Sequence, residues 1–163
     1  MAALHIIATG GTLDKRYDPI AGTLSFGASH LPDILARCRL NTAATLTVLP
    51  LKDSLDMGEP DRLAVLAACV ASGVNGAKHI VITHGTDTMP ETARVLGAAG
   101  LNQTVVLTGA MIPYDIAGSD ALFNLGFACA AAQTLPAGVY VVMGGQVFDW
   151  HAVRKDRVVG RFV

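Results

Sequence analysis

The sequence is poor in charged and aromatic residues, and each shortage excludes a class of protein. Charged residues make up 15% of the 163 residues and aromatic residues 6%, with 12 basic and 13 acidic side chains and a net charge of −1. A chain so nearly neutral lacks the basic surface with which proteins bind nucleic acids or anionic membranes. We therefore expect neither nucleic acid nor membrane among its partners.

Long hydrophobic runs and paired cysteines are also missing. Glycine, proline or a charged residue interrupts every apolar stretch before it reaches the ~20 residues needed to cross a bilayer. Segment 1–8 has neither the basic start nor the small-residue cleavage site of a secretory signal. The three cysteines, Cys38, Cys69 and Cys129, are scattered and match no disulfide or metal-ligand spacing. They predict reduced core residues in a cytoplasmic protein.

What the sequence does contain is an alternation of strand and helix patterns. Hydrophobic residues make up 52% of the chain, enough for one domain over residues 1–163 to bury ~68–70% of its unfolded surface. Short β-branched runs predict buried parallel strands at His5–Ala8, Thr45–Leu49, His79–Thr83, Val105–Thr108 and Val139–Met143. Amphipathic stretches predict helices at Glu59–Ala71, Thr88–Ala99 and Ser119–Gln133, with Ser119 as an N-cap. The fold class is therefore α/β, a flavodoxin-like three-layer sandwich with a five-stranded, mainly parallel sheet.

Polar and glycine-rich turns follow the predicted strands, and open parallel sheets bind ligands at the carboxyl ends of their strands. Glycines allow a close approach of the backbone and leave N–H groups free to hold an oxyanion, while a threonine hydroxyl next to a base can attack a carbonyl carbon. This combination favours hydrolysis of an amide or ester. The loop over 13–28 lacks periodicity, and we expect it to be mobile and near the site.

Two other chemistries fit the residues less well. The segment Thr9-Gly10-Gly11-Thr12 follows neither glycine-rich phosphate-binding pattern. The five histidines have no spacing that places two metal ligands on one face, so no metal and no cofactor is expected. His84 is the histidine expected nearest the chemistry, where it either orients its turn, which is the favoured role, or transfers a proton directly.

Two segments resemble the signature motifs of the bacterial-type L-asparaginase family. They are Ile7-Ala8-Thr9-Gly10-Gly11-Thr12 and Ile82-Thr83-His84-Gly85-Thr86-Asp87-Thr88-Met89, each at the end of a predicted strand. The resemblance continues through Asp53-Ser54, Asp56-Met57, Gly109-Ala110-Met111, Ser119-Asp120, Phe123-Asn124 and the segment 141–155. It thus extends over essentially the whole chain.

The resemblance implies specific roles for the matching residues. Thr12 would be the nucleophile, and Thr86, Asp87 and Lys155 would form a second catalytic group in which Lys155 is neutral enough to accept a proton. Tyr17 would partner Thr12, with Tyr114 as the alternative tyrosine. The residues expected to bind substrate are Gly11, Asp53, Ser54, Gly85, Asp87 and Ala110, although Asp53 and Asp56 could equally be turn or capping residues.

Members of the family usually carry a second, C-terminal domain that contributes to the neighbouring subunit's active site. This chain reaches Val163 soon after Lys155, so we expect a short form consisting of the first domain alone. Completing an open crevice and covering apolar surface both favour self-association, so a homo-oligomer is expected.

The resemblance leaves three functions. The first is an L-asparagine amidohydrolase with a threonine nucleophile and L-asparagine as its small-molecule substrate. The second is a related glutaminase, or an ammonia-supplying subunit of an amidotransferase. The third is an amino-acid sensor without turnover, which the presence of all four expected catalytic groups disfavours.

Overall fold

The computed structural model describes residues 4–163, and these residues form an α/β domain. Its strands are β1 (Leu4–Gly10), β2 (Lys15–Asp18), β3 (Thr23–Phe26), β4 (Ala44–Lys52), β5 (His79–Thr83), β6 (Thr104–Thr108), β7 (Gly138–Met143), β8 (Gln146–Asp149), β9 (Lys155–Asp156) and β10 (Arg161–Phe162). Its α-helices are α1 (Leu31–Cys38), α2 (Glu59–Val74), α3 (Met89–Ala98) and α4 (Ala121–Thr134). No helix among these residues is both long and apolar enough to span a bilayer.

The central sheet has the order β4-β1-β5-β6-β7-β8. Its first five strands are parallel, and β8 returns antiparallel to β7. The flavodoxin-like prediction is therefore confirmed, whereas the predicted count of five strands is wrong because a sixth is present. Gly144 and Gly145 both have positive φ, at 59° and 81°, and this allows the tight turn into β8.

Side chains that alternate along the strands build a core on each face of the sheet. Ile6, Val81 and Val106 belong to the core that also contains residues of α1 and α4. Ile7, Ile82 and Leu107 belong to the second core, with residues of α2 and α3. Helices therefore cover both faces, which explains why the strands have continuous apolar sequences.

The predicted elements occur close to their expected positions, with three local corrections. The segment 13–28 is an ordered hairpin of β2 and β3, rather than a loop without structure. Its turn forms because the Asp18 carboxylate accepts hydrogen bonds from the backbone of Ile20 and Ala21. Ser119 does not occupy the N-cap of α4, which is Asp120. Cys38 is exposed, whereas Cys69 and Cys129 are buried as expected.

The topology determines where a ligand can enter. The chain passes from β1 to β4 on one side, and then to β5 on the other side of β1. Such a reversal opens a crevice beyond the carboxyl ends of the strands. The turns that follow β1, β4 and β5 meet at this point.

Candidate active site

The turn after β1 is pressed against the turn after β5. Gly10 and Gly11 both have positive φ, at 108° and 74°, a conformation that favours glycine. A Cβ atom on Gly11 would lie 2.3 Å from the backbone nitrogen of Gly85, and one on Gly10 would lie 2.5 Å from the backbone of Lys52. Only glycine allows these backbones to approach so closely.

Thr12 starts a short 3-10 turn, Thr12–Asp14, directly after this contact. Its side chain is half-buried, and it makes no side-chain hydrogen bond to another of residues 4–163. Buried Asp14, the last residue of this turn, accepts hydrogen bonds from the Ser29 hydroxyl and the His30 backbone. Burial raises the pKa of the Asp14 carboxyl, which these hydrogen bonds oppose.

The turn after β5 presents Thr86 and Asp87 to Lys155. The Lys155 Nζ donates to Thr86 Oγ1 at 2.7 Å and to Asp87 Oδ1 at 2.8 Å. Thr86 is 6% exposed, and the Lys155 side chain is 10% exposed. The three groups therefore form a hydrogen-bonded set in which Lys155 and Thr86 are largely withdrawn from solvent, while the Asp87 side chain is 33% exposed.

A small ribbon holds Lys155 in this position. Strand β9, which contains Lys155, pairs antiparallel with β10. Phe162 of β10 is 8% exposed and belongs to the core together with Val153. Packing of the ribbon against the core thus directs Lys155 toward the end of β5.

The turn after β4 closes the third side of the crevice. Buried Ser54 accepts a hydrogen bond from the Thr88 backbone at 3.2 Å, and the Thr88 hydroxyl donates to the Ser54 carbonyl at 2.7 Å. Asp53 Oδ1 caps this 3-10 turn by accepting from Leu55 N, and Asp53 Oδ2 pairs with Lys15 Nζ at 2.5 Å. The hydrogen bond from Lys15 is the main reason why the pKa of Asp53 lies below its usual value.

His84 supports the β5 turn from within the protein. It is fully buried, with Nδ1 2.7 Å from the Gly85 carbonyl and Nε2 2.8 Å from the Thr92 hydroxyl. Because a carbonyl only accepts, Nδ1 carries the proton and Nε2 accepts from Thr92. Burial lowers the pKa of His84 to about 4, so the ring is neutral near pH 7.

The structure brings together most of the expected site residues, but not the tyrosines. Tyr17 is 55% exposed on β2, and no hydrogen bond joins it to Thr12. Tyr114 donates to Asp33 Oδ2 at 3.2 Å and packs against His30. Neither expected tyrosine contacts Thr12 by a hydrogen bond in this arrangement. Ala110 is buried in the core just beyond β6.

Comparison with known proteins identifies the family to which this domain belongs. The family described as "Asparaginase, N-terminal" matches residues 3–160. The chain belongs to the asparaginase family. Among solved structures, the thermostable L-asparaginase from Thermococcus kodakarensis is 28% identical with a TM-score of 0.86, over 99% of this chain and 50% of that chain. L-asparaginase I from Vibrio cholerae, at 24% identity and a TM-score of 0.87 over 99% of this chain and 51% of that one, supports the fold alone.

Curated relatives within the family have a different name, as subunits of a glutamyl-tRNA(Gln) amidotransferase. The amidotransferase subunit from Methanococcus vannielii is 35% identical over 90% of this chain and 35% of its own length. The corresponding protein from Aeropyrum pernix is 33% identical over 92% of this chain and 36% of its own length. The chain thus spans about a third of the length of these relatives and about half that of the solved structures.

The geometry of this asparaginase-family domain suits attack on a carbonyl. A half-buried hydroxyl at Thr12 lies beside glycine-rich backbone, and a separate lysine–threonine–aspartate set lies at the neighbouring strand end. Within residues 4–163, no cluster of three or more histidine, cysteine, aspartate or glutamate side chains is arranged as a metal site.

Lys15 is a residue of the site that the sequence patterns do not indicate. Lys15 comes three residues after Thr12 and reaches the turn that contains Asp53. The sequence signal for it is a lysine in the loop that is predicted near the site, but no pattern in the sequence indicates the hairpin that fixes the direction of Lys15.

Proposed function

We propose that this domain is an L-asparagine amidohydrolase that releases L-aspartate and ammonia through a threonine ester intermediate. The observation that carries the proposal is the hydrogen-bonded set of Lys155, Thr86 and Asp87 beside the Thr12 turn. A hydroxyl attacks an amide only if its proton is removed and the resulting oxyanion is stabilised. The crevice contains groups for both tasks.

In the proposed reaction, the Thr12 oxygen attacks the side-chain carbonyl carbon of asparagine. With Lys155 in its neutral form, the hydroxyl proton passes through Thr86 to the Lys155 amine and from there to the departing nitrogen, so that ammonia leaves and an aspartyl ester forms on Thr12. Water attacks the ester, returns a proton to Thr12 and releases aspartate. Backbone N–H groups of the glycine-rich turns, including those of Gly11 and Gly85, are the proposed donors to the oxyanion.

The remaining groups of the crevice are proposed to hold the substrate's charged end. The Asp87 carboxylate contacts its basic neighbours through Oδ1, with Lys155 at 2.8 Å and Arg157 at 4.0 Å. This leaves Oδ2 as an acceptor for the α-ammonium group. Ser54, whose Oγ accepts from Thr88, retains its own proton for the α-carboxylate, and the backbone at Ala110 and the side chain of Asp53 would complete the site.

A second candidate is supported by the curated relatives. Their name describes a subunit of a glutamyl-tRNA(Gln) amidotransferase, so glutamine could be the amide that is hydrolysed and another chain could receive the ammonia. The same Thr12 chemistry would serve, because glutamine differs from asparagine by one methylene. We also propose that the domain is cytoplasmic, because one structural neighbour is described as a probable cytoplasmic L-asparaginase from Campylobacter jejuni. Self-association of the domain is proposed as well.

Ammonia release from the purified chain decides between the two candidates. L-asparagine and L-glutamine are compared at equal concentrations, with D-asparagine as the control for stereospecific binding. The amidohydrolase proposal expects a kcat/KM for L-asparagine about tenfold or more above that for L-glutamine, the scale of discrimination that one methylene allows. A preference for glutamine would support the second candidate, and no release from either amide would contradict both.

A further inference from the structure

Two lysine–aspartate pairs border the crevice, and the proposed reaction uses only one of them. The first joins Lys155 to Asp87 at 2.8 Å. The second joins Lys15 Nζ to Asp53 Oδ2 at 2.5 Å and connects the turn after β1 to the turn after β4. Lys15 and Asp53 therefore lie at the same switch point as Thr12.

The second pair is part of the crevice and not a remote surface contact. The side chains of Lys15 and Asp53 are 21% and 32% exposed, so the pair is partly withdrawn from solvent. Asp53 is next to Ser54, and a Cβ atom on Gly85 would lie 2.6 Å from the Ser54 Oγ. The Lys15–Asp53 pair, Ser54 and the turn after β5 therefore lie next to one another.

Lys15 retains capacity for a ligand. Its side chain is 21% exposed, and of its three N–H donors only one has a hydrogen-bond partner among residues 4–163, namely Asp53. Both oxygens of Asp53 are already used, by Lys15 and by Leu55 N. An incoming anion would therefore meet N–H donors on Lys15 that make no other hydrogen bond among residues 4–163.

We propose that the Lys15 ammonium binds the α-carboxylate of a small amino-acid amide, which makes Lys15 a specificity-determining residue of this domain. The inference rests on the proposed function and names the group that recognises the charged end of its substrate. A substrate carboxylate that accepts a hydrogen bond from the Ser54 hydroxyl would lie near the Asp53 carboxylate, because Asp53 and Ser54 are adjacent in the sequence. The Lys15 charge offsets the repulsion between these two anions and adds a charge-assisted hydrogen bond.

The test compares ligands that differ only in the α-carboxylate. L-aspartate and β-alanine share the amine and the distal carboxylate, but β-alanine lacks the α-carboxylate. Calorimetric titration of each into the parent, Lys15→Met and Lys15→Arg separates recognition of that group from general damage to the site. Lys52→Met is the matched control, since Lys52 pairs with Asp61 at 2.8 Å on the same strand end.

Lys15→Met should weaken L-aspartate binding by about ten- to a hundredfold, as expected for the loss of one charge-assisted hydrogen bond. Binding of β-alanine should change by less than about twofold, and Lys15→Arg should restore most of the affinity for L-aspartate. Lys52→Met should leave both ligands unaffected.

A structural role for Lys15 would produce a different pattern. Equal weakening of L-aspartate and β-alanine by Lys15→Met, or no weakening of either, would overturn the proposal, as would a parent that binds neither ligand. Because these titrations need no turnover, a parent that binds L-aspartate through Lys15 but releases no ammonia would contradict the proposed hydrolysis while supporting the inference.

Discussion

The two threonine turns of the crevice differ in how firmly their hydroxyls are held. Thr86 is buried and accepts a hydrogen bond from Lys155 at 2.7 Å. Thr12 is half-buried, and its side chain makes no hydrogen bond within residues 4–163. A group that relays a proton benefits from a fixed geometry, whereas an attacking oxygen must approach the substrate carbon. The difference supports the proposed division of roles between the two turns.

Removing either hydroxyl should have the largest effect. Thr12→Ala and Thr86→Val should each lower the kcat for ammonia release by about four orders of magnitude, because the nucleophile and its proton acceptor act as a unit. Initial rates with L-asparagine, together with circular dichroism to establish folding, provide the measurement.

Thr134→Ala is a suitable control because it removes an exposed threonine hydroxyl at the end of α4. Near-parental turnover in Thr12→Ala would show that Thr12 is not the nucleophile. Loss in Thr12→Ala alone, with Thr86→Val unaffected, would remove the second turn from the reaction.

Removing the Lys155 amine, which holds the Thr86 hydroxyl and the Asp87 carboxylate, should lower kcat almost as much. Lys155→Met removes the donor to both Thr86 and Asp87, so we expect kcat to fall by about three orders of magnitude while L-aspartate binding weakens less than tenfold. Steady-state kinetics and calorimetry measure the two quantities. Lys78→Met, at an exposed lysine just before β5, is the control, and weakened binding with an unchanged kcat would assign Lys155 to binding alone.

The two threonine turns could be predicted from the sequence, whereas the hairpin that follows Thr12 could not. The glycine pairs, the threonines and the strand β5 were evident because buried parallel strands and the turns after them have distinctive composition. The ordered hairpin of β2 and β3 was not, since its stability depends on the Asp18 turn and on cross-strand pairing rather than on a buried face. The direction of Lys15 was missed for the same reason. Strand β8, which is mostly exposed, has no continuous apolar pattern either.

The buried ring beneath the Thr86 turn predicts a pH dependence of stability. His84 titrates near pH 6.5 in the unfolded chain and at about 4 in the folded one, so protons bind preferentially to the unfolded chain between these values. This contribution to the free energy of unfolding is complete above pH 6.5 and falls by up to about 3 kcal/mol as the pH drops toward 4.

Urea unfolding of the parent and His84→Gln between pH 7 and 4.5 isolates this effect. The difference in free energy of unfolding between the two proteins should shrink as the pH falls, because glutamine does not titrate. A difference that stays constant over the range would show that His84 is not buried as a neutral ring.

The contact between the turns predicts the smallest effect. A Cβ atom on Gly85 would lie 2.6 Å from Ser54 Cβ and Oγ, so Gly85→Ala should lower the free energy of unfolding by about 1–3 kcal/mol. Gly126→Ala, at an exposed helical glycine with no atom within 4 Å of the new Cβ, should instead stabilise the protein by roughly 0.5–1 kcal/mol. Urea unfolding measures both, and a neutral Gly85→Ala would mean that the turns can separate.

Esterification of Thr12 during turnover can be detected by the partitioning of the aspartyl ester between water and hydroxylamine. L-asparagine and the β-methyl ester of L-aspartate have different leaving groups but would form the same aspartyl ester on Thr12. With hydroxylamine present, both should give the same ratio of aspartyl hydroxamate to aspartate, and Thr12→Ala should give neither product above background. A ratio that depends on the leaving group, or aspartate without any hydroxamate, would contradict the threonine ester.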